Sequence, residues 1–356
     1  MSACGFLFQN LARDPAQVTP SSARPGMVGA PAPRSEGSAT ALASGEHTAG
    51  QDQVFLVEID SVVQGQEVGQ ATFRWRRSDS VGWEESGRPT SIIHQDLADG
   101  VRIKWLSGTG ADFALGDAWT ILAMRAQGGA MLLDRDRDTE WVSLACAQES
   151  LTLDLGQPRP APVLALLDHN LTPEAEIRLL ADDGPDWECP ARARSLACTS
   201  PHLVCLSDWT ARHWRLAISD PANPEGCLRA SLIYLGGCFS PSRTFRAGYQ
   251  RSLVAGRSTT VTDAGKLSGS ARGLAQSWQI GFRGLNDADL ASFEALFAAS
   301  HDPASGLLSP LVFVPFMAQP QQCLYCLPAS TLSPVQRHLG SHELSLQLEE
   351  VIKSHV

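Results

Sequence analysis

Nowhere in its 356 residues does this chain carry an apolar run approaching the roughly 20 residues of a membrane-spanning helix. Residues 1–10 lack a basic segment, and Phe6-Leu7-Phe8 is too short an apolar core for a signal peptide. Membrane insertion is therefore not expected, and synthesis in a cytoplasm is. Positive charge is also in short supply: 28 Lys and Arg against 38 Asp and Glu leave a net charge of −10. A duplex or an anionic lipid surface calls for the opposite balance, so no nucleic-acid partner is expected. The Arg74, Arg76 and Arg77 cluster reads instead as the solvated face of a strand. Cysteine is too sparse for a disulfide scaffold: nine residues, an odd number, are scattered from Cys4 to Cys326 and read as free thiols.

Catalytic fingerprints are missing as well. The chain has no Gly-x-Ser-x-Gly elbow, Walker loop, Rossmann fingerprint or His-Glu-x-x-His helix, so an enzyme is not expected. Three weaker constellations remain. His202, Cys205 and Asp208 are close in sequence, but nothing around them argues for an activated thiolate. Cys323-x-x-Cys326 has the spacing of half a zinc site without a second knuckle, and two half-buried thiols on a strand explain it better. Asp134, Asp136 and Asp138 alternate with Arg135 and Arg137, a run that reads as a solvated, self-neutralised connector rather than a calcium loop. No cofactor or metal is expected.

What is present is β-patterned. Hydrophobic residues make up 43%, enough to fill cores, and the length predicts two or three of them. Residues 1–50, with closely spaced prolines from Pro15 to Pro33, read as an extended N-terminal arm or linker. Over 51–127, Phe73 and Trp75 alternate with Arg74 and Arg76, and Val101, Ile103 and Trp105 with Arg102 and Lys104. Short strands between turn signals predict a β-sandwich. Over 128–240, Leu151, Leu153 and Leu155 alternate with polar residues, and Val163–Leu167 is apolar throughout, as a strand buried on both faces would be. In 241–356, Trp278, Ile280 and Phe282 mark a strand. Asn286 is an N-cap for a helix presenting Leu290, Phe293, Leu296 and Phe297, and Leu311–Val314 and Leu344–Leu348 are further strands.

Two turns stand out. Asp168-His169-Asn170-Leu171 follows the apolar strand, and Asp220-Pro221-Ala222-Asn223-Pro224-Glu225-Gly226 follows Trp214–Ile218. Their residue types are explained by turn geometry alone: Pro fixes φ, Asn tolerates the left-handed region and Gly supplies positive φ. In order come Trp141, Leu-x-Leu-Asp-Leu-Gly, Leu-Leu-Asp-His-Asn-Leu, Arg-x-Trp-Arg-Leu, the Asp-Pro-Ala-Asn-Pro-Glu-Gly turn and a Leu-Gly close. This series resembles the discoidin-like (galactose-binding-like) jelly rolls of bacteriophage and prophage tail proteins over about a hundred residues. It departs at Cys227 and Leu228, where a bulkier aromatic commonly follows the glycine. Trp278, the helix with Asp289-Leu290 and Leu-Val-Phe-Val-Pro resemble modules of tail-tip and distal-tail proteins.

The resemblance implies a mainly β protein: an arm, a β-sandwich, a discoidin-like jelly roll and a small α+β tail module. It implies a structural component of a tailed-phage tail tip or baseplate, residing in the virion. Other tail proteins, copies of itself and host surface glycans would be its partners. A stand-alone carbohydrate-binding protein is the alternative. Sugar binding needs an aromatic platform with flanking carboxylates in a loop, which makes Asp186, Trp187 and Glu188 the candidate ligand-binding residues. The competing reading has Trp187 plugging the end of the core, as large aromatics are mostly buried.

Overall fold

Alternating apolar and polar residues make strands here, and the strands described pair antiparallel. The structure, a computed structural model, describes residues 3–261, 267–301, 308–329 and 331–353. It divides into two compact units, Ala23–Gln127 and Met1–Ser22 with Gly128–Val356. The architecture is mainly β, with one α-helix, Asp287–Ser300, among the described residues.

The unit Ala23–Gln127 centres on Gln53–Ser61, which lies between Ala118–Met124 and Thr72–Arg77 in a six-stranded sheet; Thr40–Gly45, Val101–Leu106 and Gln95–Asp96 form a second sheet. The inward residues of both sheets form one core containing Phe55, Phe73, Trp105, Phe113, Trp119 and Ile121. Trp105 lies tilted against Phe73 at 4.7 Å and edge-on to Trp119 at 6.1 Å, geometries that aromatic quadrupoles favour. Two buried carboxylates organise its loops. Asp117 accepts from the backbone N–H groups of Glu36, Gly37 and Ala114, and Asp112 from those of Val68 and Gly108.

In the other unit, residues 141–236 form the jelly roll. A five-stranded sheet runs in the order Arg192–Leu196, Glu176–Asp182, Thr210–Ser219, Glu149–Pro160, Val18–Pro20; a three-stranded sheet places Val163–Leu167 between Leu203–Leu206 and Leu232–Gly236. All five residues of Val163–Leu167 are buried. One set of them, Val163, Ala165 and Leu167, packs on Val312, Val314 and Tyr325 of the C-terminal module, which accounts for an apolar strand with no polar face.

That module is a sheet in the order Gly5–Leu7, Leu311–Val314, Leu324–Pro328, Ser341–Glu350, Leu267–Leu285, Gln250–Val261. Its inner face buries Trp278, Ile280, Phe282, Phe313 and Leu346 beneath Phe293 and Leu296 of the helix. The helix opens with a capping box in which Asn286 accepts from the Asp289 N–H and Asp289 bonds back to the Asn286 N–H. Asp289 is buried because it also accepts from the backbone N–H and hydroxyl of Ser242.

The extended arm expected over residues 1–50 is corrected by this pairing. Gly5–Leu7 joins Leu311–Val314, Val18–Pro20 joins Glu149–Pro160, and Thr40–Gly45 joins Val101–Leu106. A proline-rich segment of low apolar content can do this because it adds short strands to sheets formed by other residues. A few side chains, chiefly Cys4, Phe6, Leu7 and Val18, are all it needs to bury.

Candidate functional site

The two turns singled out in the sequence are one hydrogen-bonded unit. Asn170 Nδ2 donates to the Cys227 carbonyl, its Oδ1 accepts from the Arg229 N–H, and Asn223 Nδ2 donates to the Asn170 carbonyl at 3.0 Å. Asp220, fully buried, accepts from the Thr172 hydroxyl and N–H and from Asn223. With these donors and acceptors spent on each other, the turns close the jelly roll and present little to a ligand.

Asp168 adopts φ +53°, in the left-handed region. Its carboxylate is gripped by Arg137 through two bonds of 2.6 and 2.8 Å. Burial by itself raises the Asp168 pKa, but the hydrogen bonds and charge of Arg137 outweigh it and hold the carboxyl below its ordinary value. Arg137 also reaches Glu350 at 3.5 Å and the Val351 carbonyl at 2.5 Å. The run Asp134–Asp138 is thus no wholly solvated connector, since its Arg137 is buried and ties the jelly roll to the C-terminal strand. Next to it, burial pushes His169 down to about 4 and lowers His202, so both rings are neutral near pH 7.

His202 also lines a cleft of about 450 Å³. Three separated segments build it: Ser200 and His202 from the jelly roll, Tyr249, Arg251, Gln276 and Trp278 from the long hairpin, and residues 315–324. Tyr249 stacks on Trp278 with ring centroids 5.3 Å apart and planes 8° from parallel. Trp278 is 3% exposed and Tyr249 40%, so the tryptophan anchors a tyrosine that faces solvent. Arg251 lies 5.7 Å from the Trp278 ring centre. Gln276 Oε1 accepts the Trp278 indole N–H, and its backbone N–H is held by Glu350, which Arg137 positions. Among the described residues, the Gln276 amide NH₂, the Gln321 side chain and the Arg251 guanidinium have no hydrogen-bond partner. Among the described residues, no carboxylate lines the cleft.

The sequence candidates lie elsewhere. Asp186, Trp187 and Glu188 sit in the loop between Glu176–Asp182 and Arg192–Leu196. That loop is ordered by Asp182, which accepts from the N–H groups of Asp183, Gly184 and Ala191. Asp186 Oδ1 accepts from the Glu188 N–H, both carboxylate residues are exposed, and Trp187 is half-buried with Arg215 5.8 Å from its ring centre. None of the three lines the cleft. The cleft itself went unread because Tyr249 and Arg251 belong to a polar, glycine-containing stretch. The available signal was Tyr249, an isolated aromatic in that stretch with Trp278 already marked as a strand residue.

The thiol constellations come apart in the fold. Cys323 packs in the core shared with the jelly roll and Cys326 in the core under the helix, so the two face opposite sides of one sheet and cannot chelate one ion together. Cys205 is buried, its thiol pKa raised by desolvation. Its polar neighbour is Arg194 at 3.8 Å, whereas His202 faces Asp168.

No protein-family model matches the chain, and no curated protein does. Among solved structures, the chain is similar to chitosan-binding module 1 of a chitosanase/glucanase from Paenibacillus sp. IK-5, at 12% identity over 30% of this chain and 83% of that one, with a TM-score of 0.25. The lectin domain of lectinolysin complexed with Lewis B antigen matches at 11% identity over 30% and 80%, TM-score 0.25. A Streptococcus pneumoniae fucose binding module, SpX-3, matches at 10% over 30% and 82%, TM-score 0.25. The jelly-roll assignment itself rests on the strand pairing described above.

Proposed function

We propose that this protein binds a glycan without cleaving it, and that the cleft at Tyr249 is the site. The observation that carries the reading is the Tyr249–Trp278 stack. A sugar ring has one apolar face of C–H groups and a rim of hydroxyls. A flat, half-exposed tyrosine braced from beneath suits the face, and the uncommitted donors of Arg251, Gln276 and Gln321 suit the rim. Glycoside cleavage uses a pair of carboxyl groups about the scissile bond, whereas the described polar walls of this cleft are amide, hydroxyl, guanidinium, imidazole and thiol beside the aromatic rings. Binding of the full chain to a glycan array, compared with Tyr249→Ala, tests the reading: a hit lost in the variant supports it. No hit, or hits indifferent to the substitution, overturns it.

A second reading, a structural component of a phage tail tip or baseplate, draws on a different observation. Gln250–Val261 is an edge strand, and it exposes Leu253 and Val254, with Leu274 exposed on the strand beside it. Natural sheet edges are usually blunted with charge or proline, and this apolar edge suits assembly against neighbouring chains. Under that reading the glycan cleft would meet host surfaces. Mass spectrometry of purified virions tests it, and absence of the chain there removes it.

A further inference from the structure

The outward face of the five-stranded sheet carries another groove, about 300 Å³, that shares no residue with the cleft at Tyr249. In the ladder Arg178 stands opposite Ala217 and Leu180 opposite Arg215, so Arg178 and Arg215 are diagonal neighbours on one face. Elsewhere Arg74, Arg77, Arg102, Arg137 and Arg212 each hold a carboxylate. Arg178 and Arg215 have no ion-pair partner among the described residues, and Arg215 Nε is buried without an acceptor. The ring of Trp187, 5.8 Å from the Arg215 guanidinium carbon, restrains that group without using its hydrogen bonds.

The rest of the groove narrows the ligand. Its carboxylates are Glu149, engaged by the hydroxyls of Ser21 and Ser22, and Glu176, exposed on the same face as Arg178. A multiply charged anion would be drawn by the arginines and repelled by both glutamates. A ligand with a single carboxylate and neighbouring hydroxyls satisfies both arginines and Glu176: a planar guanidinium pairs with the carboxylate, and Glu176 accepts from hydroxyls. Ala217 leaves room for a ring between them.

We propose that this groove binds an acidic saccharide, held through its carboxylate by Arg178 and Arg215 over the Trp187 loop. The inference stands independently of the Tyr249 cleft. Calorimetric titration of the full chain with galacturonate and with sialyllactose, each a monocarboxylate and each beside its methyl ester, and with inorganic sulfate tests it. At least one acid is expected to bind, with its methyl ester and sulfate at least tenfold weaker. Arg178→Gln, a change at an exposed position, is expected to weaken that acid at least tenfold, as is Arg215→Gln once its melting curve matches the parent. Binding by neither acid, an ester as tight as its acid, or sulfate as tight as the acid would overturn the proposal. So would binding that survives Arg178→Gln but is lost in Tyr249→Ala, which would put the acid in the cleft.

Discussion

Asn223 donates its side-chain amide to the backbone carbonyl of Asn170, 53 residues earlier, at 3.0 Å. The same amide bonds the buried carboxylate of Asp220, and Asn223 Oδ1 accepts from the Glu225 N–H. With a longer bond from Asn170 Nδ2 to its Oδ1 at 3.5 Å, one side chain thus takes part in four bonds at the junction of two turns.

Asn223→Ala would strip the buried Asp220 carboxylate of one of its donors, leaving those of Thr172, and would strand two backbone groups of the junction, the Asn170 carbonyl and the Glu225 N–H. Leaving buried polar groups unpaired costs about 1–3 kcal/mol. The urea midpoint is expected to fall accordingly, with the slope of the transition unchanged. A midpoint within error of the parent would contradict this account of the turn.

His169 gives a pH dependence with a definite sign. Its folded pKa is pushed down to about 4 from an ordinary 6.5 by burial, so between those values the unfolded chain holds more protons than the folded one. Its contribution is therefore complete above pH 6.5 and declines as the pH falls to about 4, by up to about 1.4 kcal/mol per pH unit for this one group. Asp168, held below its ordinary value, adds a further loss at lower pH still. His169→Gln should flatten the stability profile between pH 6.5 and 4, and unfolding curves across that range decide it. An unchanged slope would refute the assignment.

At the cleft, Tyr249→Phe keeps the ring and Tyr249→Ala removes it. If stacking holds the sugar, Phe should bind within a few-fold of the parent and Ala at least tenfold more weakly, a difference of about 1.4 kcal/mol. Titration with a glycan identified on the array measures both. Equal losses would place the contribution in the hydroxyl instead of the ring.

Thiol reactivity should sort by burial. Cys189 is exposed, whereas Cys4, Cys323 and Cys326 are buried and their pKa values are raised by desolvation, Cys4 to about 11 and Cys323 to about 12. The thiolate is the reacting species. With a chromogenic disulfide reagent at pH 8, Cys189 should react at once and those three only on unfolding. Fast labelling of Cys326 in the folded protein would contradict the packing.

The elements most legible in the sequence were those whose pattern is set locally. The alternation around Trp105, the unbroken apolar run Val163–Leu167 and the Asn286 cap each reflect neighbours a few residues apart, and each appears in the structure. What escaped notice depends on distant partners. The strands Gly5–Leu7 and Val18–Pro20 are too short to announce themselves and form only against sheet edges made by residues 311–314 and 151–153. The cleft was hidden for the same reason, since its walls come from segments some 120 residues apart and no local spacing encodes their meeting. Arg137 looked neutralised by its flanking aspartates, but the fold gives it Asp168.

Gly5 pairs with Val314. On a ribosome that register imposes a wait: at roughly 5–20 residues per second, the partner strand emerges roughly 15–60 s after the first. Ala23–Gln127, whose strands pair among themselves, can fold during that interval. Phe6 and Leu7, fully buried at the end, must meanwhile stay exposed. This strand is made long before the partner that buries it, so Phe6 and Leu7 are apolar surface for a chaperone shielding the nascent chain to cover.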